Sequence, residues 1–527
     1  MRKMRLKKAM GAVLSARSFR ARLFIEGIGI GAVTGLCIVL FRCSIEKVEI
    51  FWSALYSNVQ SGKTEQTGLI FFLYAVLALL LYIVTWKEPM ASGSGIPQIK
   101  GILLGRMHMN WLRVFLYKLA GGVLAIGSGL SLGREGPSVQ LGAAIGQGVS
   151  RLSRRSRFEE RFLLTSGAGA GLAAAFNAPL AGVVFCLEEL QKNFSPFVLM
   201  AAISATVTAT AVAQQFFGYG PVFHMPGLAI LPLSYYGVLF AAGLFLAVLG
   251  RCFNKTLLRA LDFYELPFFA AAWKKPFLPV FTAAVLGFFL PEILGGGNHL
   301  VDDLLNTSYS LEWLCLLFIG KFLFTMLCFG SGVPGGIFLP MLVLGALGGA
   351  VFSGLAVWAG AMDPVYAENL IVFSMAGYFA AVVKSPVTGS ILIMEMTGSF
   401  EHMLALICVS VTACTAADLL GGKPVYDELL SRSLAKQKQA KQTMKYRRLM
   451  FETVVSGGST MDGKQIRQIS WPKYSLVIHI RRGESEIIPD AETRLQAGDY
   501  LYLFVNDYEI EKIAALAAID EEQKINL

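Results

Sequence analysis

Hydrophobic positions along this chain come in long runs rather than alternating with charge. Residues 27–41, 68–85, 162–187, 197–250 and 322–361 contain no Asp, Glu, Lys or Arg. About 20 apolar residues let a helix cross the hydrocarbon core, so the runs predict many membrane spans. Several are interrupted by Gly, Pro or Asn, and one run therefore need not equal one helix. After about residue 430 the apolar stretches shrink to strand length. Residues 476–480, 486–488 and 500–505 read as strands, with turns at Gly483 and at Ala497-Gly498-Asp499, and a helix is expected over 508–518. The predicted organisation is a membrane domain over 1–430, a basic linker over 431–451 and a small α+β domain over 452–527.

Within the membrane domain, the stretch from Gly133 to Glu188 resembles the stretch from Gly336 to Glu395. Placing Pro137 on Pro340 puts Gly133 on Gly336 and Gly142 on Gly345. Placing Pro179 on Pro386 puts Gly182 on Gly389 and Glu188 on Glu395. Repeated halves with Gly/Pro-interrupted segments are a transporter signature, with the substrate site where the broken helices meet.

Composition supports the membrane reading. Only 16% of residues are charged, against about a quarter in soluble domains. The net charge of +10 is concentrated: residues 1–25 hold eight Lys or Arg and no acid, and residues 429–451 hold seven and no acid. Both clusters abut membrane segments, which argues against a nucleic-acid partner. The positive-inside rule puts both termini on the cytoplasmic side and requires an even number of crossings. The first apolar run is long and has no cleavage pattern, unlike a signal peptide. The eight cysteines form no CxxC pair, so they read as small hydrophobes rather than as a metal or disulfide set. No metal and no cofactor is expected.

Three Gly-rich breaks carry the candidate chemistry: Gly93-Ser94-Gly95-Ile96-Pro97, Gly133-Arg134-Glu135-Gly136-Pro137 and Gly335-Gly336-Ile337-Phe338-Leu339-Pro340. Each places a proline near the first turn of a following helix, where its missing N–H costs little. Helix starts offer unpaired N–H groups and the positive end of the dipole. Several converging on one point would hold an anion without a full positive charge, weakly enough to let it leave. Glu135 is an intramembrane carboxylate beside Arg134, and such a residue is costly unless it has a function. At a helix start it can occupy an anion's place and vacate it on protonation, serving as gate and proton carrier.

The ordered set GSGIP, GREGP and GGIFLP closely resembles the CLC chloride channels and chloride/proton exchangers. Gly421-Gly422-Lys423-Pro424-Val425-Tyr426 is similar to that family's last-helix motif, and the resemblance covers roughly residues 25–430. It implies an all-α polytopic fold of two inverted repeats with broken helices, in a homodimer with one pore per subunit. It implies that the Ser94 and Tyr426 hydroxyls and the Ile337 and Phe338 amides bind chloride. It makes Glu135 the external gate and Glu189 the internal proton-transfer residue. Glu189 favours proton-coupled exchange over the alternative, a passive gated channel. Gln98 and Lys100 stand where some bacterial members have acids, and bear on the electrostatics of the inner mouth.

The tail stretch RRGESEIIPDAETRLQAGDYLYLF resembles the RCK-C or TrkA-C regulatory domain of bacterial transporters. That implies a cytoplasmic α+β module, itself dimeric, that binds a small regulatory ligand. The expected partners are chloride, protons, the lipid bilayer, a second copy of the chain and that ligand. An enzyme with Ser94 as nucleophile would need a base. None of His108, His224, His299, His402 and His479 lies in a deep apolar run with a serine partner, and no HExxH occurs. No catalytic residue is therefore assigned.

Overall fold

The structure is a computed structural model. It describes residues 2–62, 65–223, 228–307, 309–440, 448–472, 475–483, 485–506 and 509–518. His224 and residue 508 lie outside that set. The chain divides into two compact units, Met1–Arg432 and Ser433–Leu527.

The first unit is helical. Its earlier part comprises α1 (Arg2–Gln60), α2 (Gln66–Lys87), α3 (Ile96–Leu103), α4 (Trp111–Gly127), α5 (Glu135–Leu152), α6 (Arg157–Phe176), α7 (Pro179–Phe185) and α8 (Pro196–Phe217). The later part comprises α9 (Tyr236–Phe263), α10 (Lys274–Phe289), α11 (Asn298–Asn306), α12 (Leu311–Gly330), α13 (Phe338–Trp358), α14 (Ala367–Val383), α15 (Pro386–Thr397), α16 (Met403–Leu419) and the start of α17 (Val425–Ala440), which runs past Arg432 into the second unit. Among the described residues, seven helices are long and apolar enough to cross a membrane. Shorter ones, such as α3, α7 and α11, are the pieces that the Gly and Pro breaks create.

Helices α5, α6, α13 and α14 are buried almost all round, as expected of helices apolar on every face. Small residues allow this packing. Gly142 and Gly146 of α5 lie against the Gly167 and Leu163 carbonyls of α6, and Gly345 and Gly349 of α13 lie against the Ser374 and Leu370 carbonyls of α14. Each is a small-xxx-small stripe that brings two backbones together, and Gly142 matches Gly345 in the repeat.

Helix α6 stops at Asn177 (φ +55°) and α14 stops at Lys384 (φ +69°), both left-handed. Each is followed by a helix with proline at its first position, Pro179 of α7 and Pro386 of α15. Helix α7 packs back antiparallel on α6: Gly182 lies against Ala173, and Cys186 Sγ donates to the Thr165 carbonyl at 3.2 Å. The chain then winds into a π-helical turn over Cys186–Gln191, a wide turn often found at functional sites. Gln191 Nε2 reaches Thr165 Oγ1 at 2.7 Å, so Glu188 and Glu189 return to the side where α6 began.

The second unit is a four-stranded antiparallel sheet in the order β1-β4-β2-β3, with β1 Arg448–Val454, β2 Leu476–Arg482, β3 Ser485–Ile487 and β4 Tyr500–Asn506. Helix α18 (Ile510–Ala517) follows. Ile480, Leu501, Leu503, Val455, Met461 and Ile513 form the core. Three strands and the helix match the expectation, while β1 falls partly within the segment read as linker. Its alternation, with Met450, Glu452 and Val454 more exposed than Phe451 and Thr453, starts at the edge of a basic cluster that dominates the local composition. The expected linker of 431–451 is instead helix as far as Ala440 and strand from Arg448, and residues 441–447 lie outside the described set.

Candidate functional site

The three Gly-rich breaks are tied together through their backbones. Gly133 and Gly336 exchange N–H···O bonds of 2.7 and 2.8 Å, Gly93 donates to the Gly332 carbonyl at 3.2 Å, and Gly335 donates to the Gly93 carbonyl at 3.0 Å. Four helices start around this junction. Gly95 (φ +95°) precedes α3, Glu135 opens α5, Phe338 opens α13 and Val425 opens α17. The approach demands residues without side chains: a Cβ on Gly136 would strike Ser94 and press on Gly336.

Ser94, Ile337, Phe338 and Tyr426 are all buried. The Tyr426 and Ser94 hydroxyls interact, yet neither completes a hydrogen bond with protein among the described residues. Two buried hydroxyls left in that state point to a ligand, because buried polar groups normally find partners. The Phe338 and Leu339 amides belong to the first turn of α13, where N–H groups have no intrahelical acceptor.

Glu135 is fully buried. Its carboxylate interacts with the amides of Leu339 and of its own residue and lies over Gly133, without reaching full hydrogen-bond geometry at either oxygen. Arg134 Nε is 3.9 Å from Glu135 Oε1, a loose contact rather than a closed ion pair. The carboxylate thus sits at the start of α13, where an anion would be stabilised.

Glu188 and Glu189 are adjacent in sequence but have different surroundings. Glu188 accepts from the Thr388 amide (2.7 Å), the Thr388 hydroxyl (2.6 Å) and the Val387 amide (3.3 Å), so it caps α15. Glu395, its repeat counterpart, accepts from the Leu180 (3.0 Å) and Ala181 (2.8 Å) amides and caps α7. Glu189 is 1% exposed; it meets Lys100 Nζ at 2.8 Å and Ser385 Oγ at 2.9 Å. Lys100 also pairs with Asp427. Gln98 donates to the Ser92 carbonyl at 2.8 Å and so braces the loop before α3.

Sequence reasoning missed two buried lysines. Lys118 Nζ donates to the Ala91 (3.0 Å) and Gly93 (2.6 Å) carbonyls. Lys321 Nζ donates to the Ile293 (2.9 Å) and Gly295 (2.6 Å) carbonyls. Each lies in an apolar stretch of its helix, and each stands 19 residues before a repeat proline, Pro137 or Pro340. That common offset was the available signal. It also exposes a fourth glycine loop, Gly295-Gly296-Gly297, which opens α11 with Gly297 at φ +94° and matches the loop that holds Ser94.

A family model described as voltage gated chloride channel matches residues 74–418, and one described as TrkA-C domain matches residues 450–518. The H(+)/Cl(-) exchange transporter ClcA of Vibrio cholerae serotype O1 (strain ATCC 39541) is 39% identical over 386 residues, covering 71% of this chain and 81% of that protein. The protein of the same name from Citrobacter koseri is 37% identical over 438 residues, covering 80% and 90%. The crystal structure of a slow cyanobacterial Cl-/H+ antiporter superposes with a TM-score of 0.75 at 31% identity, over 79% of this chain and 99% of that one. That of a eukaryotic CLC transporter shares the fold at a TM-score of 0.66 and 22% identity, over 78% and 74%. Two repeated halves joined at glycine loops, a buried Glu135 and these matches agree: the chain belongs to the voltage-gated chloride channel (CLC) family and carries a TrkA-C domain after its membrane unit.

Proposed function

We propose that this protein exchanges chloride for protons across the cell membrane, with both termini cytoplasmic, as a homodimer. The observation that carries the reading is the fully buried Glu135 carboxylate at the start of α13, inside the cage of glycine loops. Chloride is held by the Ser94 and Tyr426 hydroxyls and by the Ile337 and Phe338 amides. Ionised Glu135 competes with it as a tethered anion. Protonation neutralises the side chain, removes its claim on the helix start and opens the path. The same proton then leaves on the other side, which links the two fluxes. Protons reach Glu135 by way of Glu189, which is buried. This second carboxylate favours exchange over a passive channel. The work done is transport, with no covalent chemistry, and the TrkA-C domain adjusts it in response to a small ligand.

The test is full-length protein in liposomes with chloride and proton movement read together. An imposed chloride gradient should drive protons uphill. Chloride flux with no proton movement would make the protein a channel and overturn the reading.

A further inference from the structure

Lys100 stands five residues after Gly95, on α3, the helix that follows the Ser94 loop. Its ammonium meets Glu189 Oε1 at 2.8 Å and pairs at the same time with Asp427 Oδ1. Asp427 directly follows Tyr426 in the first turn of α17. It also takes Lys192 Nζ at 2.5 Å. Burial falls along this series. Lys100 and Glu189 are buried, the Asp427 side chain is 34% exposed, and that of Lys192 is more than half exposed. Four alternating charges therefore lead from the inner carboxylate to the surface. On the way they join α3, which follows Ser94, to α17, which carries Tyr426.

An exposed ion pair of this composition would mean little, since surface pairs contribute little net stability. Lys100 is different because it is buried, and losing one partner of a buried pair leaves the other charge uncompensated. Nor is this bridge part of the twofold frame. The position matching Glu189 in the second half is Met396, which can make no such pair.

We propose that Lys100 and Asp427 are positioning residues that set how many protons accompany each chloride. The Glu189–Lys100–Asp427 bridge ties the proton-handling carboxylate to α3, which follows the Ser94 loop, and to α17, which carries Tyr426. With Glu189 ionised, the ammonium is shared between two carboxylates, and α3 and α17 are both drawn to Glu189. When Glu189 takes a proton, its ion pair with Lys100 becomes an ammonium–carboxyl hydrogen bond charged on one side only, which is weaker, and the ammonium is drawn to Asp427 instead. The tether between proton site and chloride site thereby changes in step with proton occupancy. This inference rests on the proposed role of Glu189.

The test compares Asp427→Asn, Asp427→Glu, Lys100→Met and Glu189→Gln with the wild type, each full-length in liposomes with both fluxes recorded. Asp427→Asn should lower the protons moved per chloride about tenfold, the scale of one lost charge-assisted hydrogen bond, while chloride turnover changes far less. Lys100→Met should do the same, and Asp427→Glu should restore the wild-type ratio. Asp427 is partly exposed and its loss leaves the Lys100–Glu189 contact in place, so Asp427→Asn carries the test if Lys100→Met does not fold. A wild-type ratio in Asp427→Asn, a proportional fall of both fluxes, or an Asp427→Glu protein as uncoupled as Asp427→Asn would each overturn the proposal. If Glu189→Gln uncouples and Asp427→Asn does not, only this inference fails. If Glu189→Gln exchanges as the wild type does, the assignment of Glu189 fails and the inference falls with it.

Discussion

Gly133 and Gly336, Lys118 and Lys321, Asn177 and Lys384, and Glu188 and Glu395 occupy matching places in the two halves of the membrane unit, and each pair has the same task. The glycines pair with each other, the lysines each hold two loop carbonyls, the left-handed residues end α6 and α14, and each glutamate caps the other half's short helix. Even the loop bonds are reciprocal: Gly93 donates to Gly332, and Gly295 donates to Gly129 at 2.7 Å. Where the first half has Ser94, Glu135 and Glu189, the second has Gly296, Phe338 and Met396. The shared positions build the frame and the unshared ones carry the proposed chemistry. A reason lies in electrostatics. Two carboxylates aimed at one anion site would repel each other, and both would compete with chloride, so a single gate on a twofold frame is the workable arrangement.

The largest expected effect tests that asymmetry. Glu135→Gln should abolish proton movement while chloride still flows, because the amide can neither ionise to fill the site nor carry a proton. Adding Phe338→Glu to that variant should not restore coupling. The Phe338 ring packs against Phe176 and Phe379, with centroids 5.4 and 4.7 Å away, so a carboxylate there would enter an aromatic pocket instead of the ion path. Restored proton flux in the double variant, measured in liposomes, would show that either half can host the gate.

A smaller effect tests the symmetric part. Glu188→Ala and Glu395→Ala should each cost about 0.5–2 kcal/mol, the range for losing a helix N-cap, read as comparable falls in unfolding midpoint. Glu188 should lose slightly more because it also accepts from the Thr388 hydroxyl. Neither should change the proton-to-chloride ratio selectively. Uncoupling by Glu188→Ala alone would move Glu188 from the frame to the proton route beside Glu189.

Much of this frame could be read from the chain because Gly and Pro fix backbone geometry locally. Gly133, Gly336, Pro137, Pro340, Pro179 and Pro386 mark the repeat without any structure, and Glu135 declares itself as an acid in an apolar stretch. The loop opening α11 was missed because Gly295-Gly296-Gly297 lacks the following proline that makes Gly93–Pro97 conspicuous. The partners of Lys100 were beyond reach for another reason. Glu189 is 89 residues away and Asp427 still further, and no local pattern encodes a contact across such distances. The sequence sets Glu188 apart by the repeat and Glu189 by resemblance, but only the π-helical turn and the arrival of α15 show that one is a cap and the other a buried, lysine-paired acid. In the tail, alternation revealed β2, β3 and β4, while basic residues at 445–448 masked the start of β1.

The smallest expected effect comes from the two lysines, and it sets equal frames against unequal consequences. Lys118 and Lys321 make the same two bonds to corresponding loops, so Lys118→Met and Lys321→Met should perturb those loops alike. Neither loop depends on its lysine alone. The Ser94 loop is also held by Gly335 N–H on the Gly93 carbonyl, by Ser92 Oγ on the Gly332 carbonyl and by Gln98 on the Ser92 carbonyl. Methionine fills a similar volume and removes a buried charge, which offsets part of the lost hydrogen bonding. Stability should therefore move little in either variant. Chloride binding should not respond equally, because the loop held by Lys118 presents the Ser94 hydroxyl and the loop held by Lys321 presents Gly296, which has no side chain to misplace. Lys118→Met should weaken chloride binding by about 1 kcal/mol, roughly fivefold in affinity and the typical worth of one displaced hydrogen bond, as read by calorimetric titration of purified protein. Lys321→Met should bind chloride as the wild type does. Equal weakening in both variants would mean that the second half's loop also contributes to the ion site, and that the chemistry is shared more evenly between the halves than Ser94 and Gly296 suggest.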